Sequence, residues 1–156
     1  MILRILKSNR AVNYILFPLI AVVVWLESLI QPEIYSFYRG ETQNLLYYPV
    51  ARLFKDAALL QSITSLVILL ALALIVLQIN NRYNFIRIRT MLPAPLFIIM
   101  ISGLVDMHTL HPVFFAAFFV LIAIHRFFSA FDKVKPYSAI FDAGLSLGIA
   151  ALFYFN

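Results

Sequence analysis

The chain has 156 residues, 63% of them apolar and only 12% charged, with a formal net charge of +5, whereas a soluble domain carries about 25% charged residues. That balance and a mean hydropathy of +0.94 leave too little polar surface to cover a water-soluble globule, which excludes a cytosolic enzyme and a disordered tail. With no cysteine, the chain has no disulfide, no thiolate metal site and no thiol nucleophile.

Ionised residues are missing from 11–26, 57–81, 90–105 and 107–125, and from 143–156 beyond Asp142. These gaps predict an all-α, polytopic membrane protein with one membrane domain over 1–156. It comprises a basic interfacial segment at 1–10, an outer loop at 31–56, and spans near 11–30, 57–80, 91–105, 111–128 and 139–155. The uncharged runs hold 16, 25, 16, 19 and 14 residues, against the roughly 20 that cross a bilayer as a helix. Local thinning of the bilayer accommodates the shorter ones. The last stops at Asn156 without a basic stop signal or polar tail, so a truncated chain is expected. Orientation follows from the Lys and Arg residues. Arg4, Lys7, Arg10, Arg82, Arg87, Arg89, Arg126, Lys133 and Lys135 fall on one side, and Arg39, Arg52 and Lys55 on the other. The basic side is the cytoplasmic one, which predicts a cytoplasmic N-terminus. The net positive charge therefore reports orientation, and no nucleic-acid partner is expected.

At the N-terminus, Ile2, Leu3, Ile5 and Leu6 interleave with Arg4, Lys7 and Arg10, which suits a short helix on an anionic leaflet. No small-x-small cleavage site follows Trp25, so span one reads as an anchor and not as a secretory signal. Glu27 lies near the outer end of that span, where it is either an interfacial residue or, if buried, a proton-handling acid or base. Glu33 and Glu41 follow on the same side and complete the candidate catalytic carboxylates.

The outer loop is rich in aromatic residues, which suits the headgroup layer. Within it Leu46, Val50, Leu53, Phe54 and Ala57 recur at helical spacing and Pro49 could open a helix, predicting a surface helix that leads into span two. Arg39, Arg52 and Lys55 are its candidate lipid-phosphate ligands; the alternative is a belt that only seats the protein in the leaflet. Pro93 and Pro95 mark the first turn of span three. The third loop carries Asp106, His108 and His111, which reads as a polar turn with His111 capping a helix that opens at Pro112. A metal site on these three residues is the alternative, without the ligand geometry that a stable zinc site requires. In span five, Gly144 and Gly148 form a small-xxx-small pattern that predicts a helix-packing face, and Asp142 before them suits a helix N-terminus. There is no phosphate loop, dinucleotide fingerprint, His-Glu-x-x-His pair or Gly-x-Ser-x-Gly elbow, so no cofactor is expected.

The runs Asn81-Arg82-Tyr83, Leu92-Pro93, His111-Pro112-Val113, His125-Arg126-Phe127-Phe128 and Phe141-Asp142-Ala143-Gly144 resemble a family of uncharacterised polytopic membrane proteins from Bacteroidota. Members of that family are longer, with further spans after this point. The resemblance implies a bacterial inner-membrane setting and no particular activity. The expected function is a non-catalytic subunit or scaffold of envelope biology, docking a membrane-protein partner through span five. The alternative is part of a glycosyltransferase or polymerase-like enzyme, because the first outer loop is similar in layout to that of polyprenyl-phosphate-dependent membrane glycosyltransferases. That likeness implies Glu33 or Glu41 as base and Arg39 or Arg52 on the phosphate of a polyprenyl-phosphate lipid. A transporter using Glu27 and Asp142 is a further alternative.

Overall fold

The structure is a computed structural model that describes residues 12–33, 44–86, 90–132 and 134–154, without the side chains of 12–14 and 105. The basic segment 1–10, with Arg39, Glu41, Arg87, Arg89 and Lys133, lies outside the described residues. Among the described residues all regular structure is helical: α1 (Val12–Val24), α2 (Leu26–Ile30), α3 (Tyr47–Leu53), α4 (Ala58–Tyr83), α5 (Pro93–Ser102), a 3-10 turn (Val105–His108), α6 (Pro112–Ala130) and α7 (Tyr137–Phe153). The chain divides into two compact units, Met1–Ile34 with Ala58–Thr109, and Tyr35–Ala57 with Leu110–Asn156.

Among the described residues two helices are long and apolar enough to cross a membrane. At 1.5 Å per residue α4, with 26 residues, is about 39 Å long and α6, with 19, about 28 Å. The other apolar helices are shorter. α5 has ten residues, about 15 Å, because it begins at Pro93 and ends at Gly103. α1 and α2 are joined by hydrogen bonds through Trp25, from Trp25 N–H to the Ala21 carbonyl and from Leu29 N–H to the Trp25 carbonyl, both 3.0 Å. A nearly continuous helix therefore runs from Val12 to Ile30, despite Pro18 inside α1.

In the first unit, matched four-residue ladders face inward. Phe17, Ala21 and Trp25 are buried on α1 and its end, and Ala94, Ile98 and Ser102 on α5. Leu66, Leu69, Leu72, Ala73 and Leu77 of α4 complete this core. Polar residues are buried too, among them Gln61, Ser62, Ser65, Asn80 and Thr90. The Ser62 and Ser65 hydroxyls have no hydrogen-bond partner among the described residues. The outward faces are apolar, with Ile15, Leu19, Val23, Leu60, Val67 and Met100 all exposed.

In the second unit α6 and α7 pack as a hairpin. Ala123 and Ala130 on one helix and Ala139, Ala143 and Ala150 on the other are buried, so small side chains let the helix axes approach. Where α6 begins and α7 ends, Phe153 stacks on Phe115 and Phe119, with centroids 5.2 and 5.6 Å apart. Asp142 does not open α7 as expected. The helix begins at Tyr137, which puts Asp142 in its second turn, where it pairs with Arg126 (Nε to Oδ2 3.9 Å) while both side chains stay about half exposed.

Candidate functional site

A connected polar cluster in the first unit is built by the turn after α5. Gly103 closes that helix through its N–H to the Ile99 carbonyl, 3.1 Å. The 3-10 turn then doubles back, tied by Met107 N–H to the Leu104 carbonyl and by the Thr109 hydroxyl to the Asp106 carbonyl, 3.0 and 3.1 Å. This brings His108 against the end of α5, with Nε2 3.0 Å from the Ser102 carbonyl and Nδ1 2.6 Å from Ser28 Oγ on α2. A carbonyl oxygen only accepts, so Nε2 carries the proton. In the neutral ring Nδ1 is then an acceptor, and the Ser28 hydroxyl donates to it. Trp25 stacks on the imidazole at 4.3 Å with planes 24° apart, and its Nε1–H donates to Ser102 Oγ at 2.8 Å. Trp25 is fully buried and His108 7% exposed, while Ser28 is half-buried. The ring is thus held at both nitrogens and across one face.

A second site lies in the other unit, on α3. Tyr47, 2% exposed, anchors this helix by donating its hydroxyl to the Leu110 carbonyl and by packing on Phe115, centroids 6.2 Å apart. The Leu46 N–H adds a bond to the Leu152 carbonyl, 3.2 Å. With the rotation of α3 fixed by Tyr47, residues 48, 51 and 52 share one side, and Lys55 follows in the turn after the helix. Tyr48, Ala51, Arg52 and Lys55 line an open pocket of about 540 Å³. Two cations and a phenol therefore surround a space large enough for a phosphate-bearing headgroup. The sequence pattern predicted the apolar stripe of α3 imperfectly: Leu53 is 82% exposed and Tyr47 is the buried anchor.

The remaining candidates are dispersed. Glu27 is exposed in the first turn of α2 and Glu33 is exposed beyond its end; Arg39 and Glu41 lie outside the described residues. Asp106 is exposed on the 3-10 turn. His111 caps α6, with Nδ1 accepting the Val113 N–H at 3.2 Å. Among the described residues no three His, Asp or Glu side chains are grouped to hold a metal ion. A Cβ placed on Gly144 or Gly148 would meet nothing within 4 Å, so the face of α7 that packs on α6 is the one bearing Ala139, Ala143 and Ala150. Ser28, Trp25 and Ser102 were not singled out from the sequence. The signal that points to them is the pair of inward ladders, which end at Trp25 and Ser102. No family model, curated protein or solved structure matches the chain.

Proposed function

We propose that this chain is a multi-pass protein of a bacterial inner membrane, with five spans and a cytoplasmic N-terminus, acting in envelope biology as a subunit or scaffold that holds a phosphate-bearing lipid headgroup at the outer leaflet. The distribution of polarity supports the membrane setting. Even in the two longest apolar helices only 44% and 22% of the most hydrophobic window is buried, whereas the core helix of a soluble protein is mostly buried. Gln61, Ser65 and Asn80 lie inside and large aliphatic residues outside, an arrangement suited to lipid as the surrounding solvent.

The observation that carries the headgroup function is the α3 pocket. Arg52 supplies a planar fork for two phosphate oxygens, Lys55 a mobile point charge and Tyr48 a neutral donor. Positive-inside orientation puts these cations, with Arg39, on the face away from the other nine basic residues. The test is native mass spectrometry of the full chain in mild detergent after addition of phosphatidylglycerol, a polyprenyl phosphate or zwitterionic phosphatidylcholine. Preferential retention of a phosphate-monoester or anionic lipid, lost in Arg52→Gln/Lys55→Gln, is expected. Equal retention of all three lipids, or retention unchanged in the double variant, contradicts the assignment.

The open face at Gly144 and Gly148 favours a docking role for span five beside headgroup binding, since close helix approach needs no rearrangement there. Gly144→Leu/Gly148→Leu then releases a copurifying protein, and an unchanged complex counts against docking.

A further inference from the structure

We infer that Ser28 is an activated nucleophile, with His108 as its general base, and that it takes the acyl group of a carboxylic ester. Three features of the cluster go beyond what a tie between two helices requires. The proton order is fixed in the reactive sense, because the Ser102 carbonyl holds the proton on Nε2 and leaves the Nδ1 lone pair directed at the Ser28 hydroxyl 2.6 Å away. The base is more sequestered than its partner: His108 is 7% exposed, whereas Ser28 is half-buried. The base is also immobilised, by Trp25 across its face and the Ser102 carbonyl at its edge. A nucleophile, a base within hydrogen-bond reach and a third group orienting the base are the three parts an activated hydroxyl needs.

The step balances with these residues alone. Ser28 Oγ bonds to the ester carbonyl carbon as its proton passes to His108 Nδ1. The resulting imidazolium keeps its Nε2–H on the Ser102 carbonyl. The ester C–O bond then breaks and the departing alkoxide recovers the proton from Nδ1, leaving the acyl group on Ser28; water, giving its proton to the same nitrogen, attacks the acyl carbon, the bond to Oγ breaks, and Oγ takes the proton back from Nδ1 as the carboxylic acid departs.

The test uses the full chain in detergent and a fluorophosphonate, whose phosphorus bonds to Oγ with loss of fluoride. The expected result is a single adduct mapped to Ser28, absent in Ser28→Ala and formed about 100-fold more slowly in His108→Gln, the lower end of the rate gained from a positioned base. An intact wild-type chain that acquires no adduct at Ser28 overturns the inference, as does a His108→Gln chain that reacts at the wild-type rate. Because the chain has no cysteine, Ser28→Cys supplies an independent readout that leaves His108 in place. Its thiol should react with iodoacetamide at least tenfold faster than that of Leu26→Cys on the same helix, and equal rates refute activation by the imidazole.

Discussion

Ser102→Ala isolates one bond of the Trp25–His108 cluster. The substitution removes Oγ, the acceptor of the Trp25 indole N–H at 2.8 Å, and leaves the Ser102 carbonyl on His108 Nε2 untouched. Trp25 is fully buried, so its N–H gains no water in exchange and the cost is that of an orphaned buried donor, about 1–3 kcal/mol. For a chain of this size each kcal/mol moves the midpoint by about 2–4 °C, so the thermal transition in detergent should fall by about 2–12 °C. The assay is intrinsic to the molecule, because Trp25 is the only tryptophan and its emission reports this site alone. Trp25→Phe, followed by helical circular dichroism, leaves Ser102 Oγ unpaired instead. The double variant should then be less destabilised than the sum of the two single variants, the signature of a direct contact. A Ser102→Ala transition within 1 °C of wild type, or strict additivity in the double variant, refutes the bond and with it the clamp on His108.

Other perturbations separate the remaining features. Ser65→Ala removes a buried hydroxyl that has no partner among the described residues, so thermal melting should show it neutral or slightly stabilised, and a loss above about 1 kcal/mol would reveal a partner. Ala143→Leu forces a branched side chain into the α6–α7 interface, where Ala143 is 5% exposed, and should cost about 1–3 kcal/mol in the same melt. Gly144→Ala, next to it on an open face, should instead stabilise the helix by up to about 1 kcal/mol; equal destabilisation by the two would mean that the packing face is misassigned. Asp142→Asn breaks a half-exposed ion pair at 3.9 Å and should cost less than about 1 kcal/mol, an effect that fades with added salt.

Much of the fold was legible because charge and proline act locally. The uncharged run 57–81 became α4, Pro93 and Pro112 opened α5 and α6, and His111 capped α6 through its own side chain. What local pattern cannot encode is association across the chain. His108 reads as a polar-turn residue until Ser28, 80 positions away, is brought to its Nδ1. Likewise α7 carries small residues on two faces, and spacing alone does not say whether Ala143 and Ala150 or Gly144 and Gly148 meet α6; the packed hairpin chose the alanines. Tyr47 was hidden for a related reason, since its hydroxyl finds the Leu110 carbonyl only after folding. The pocket cations were accessible to sequence reasoning because residues 52 and 55 are only three apart, at the end of α3 and in the turn after it.

The central claim, five spans with the N-terminus inside, is tested most directly by substituted-cysteine labelling, for which this cysteine-free chain needs no prior engineering. Single cysteines at Ser36, Thr42 and Asp106 should react with a membrane-impermeant maleimide on intact cells. Those at Ser8, Ile86 and Val134 should react only after the membrane is permeabilised. Labelling of Ser8 or Val134 on intact cells, or protection of Asp106, would contradict the topology and remove the α3 pocket from the outer leaflet.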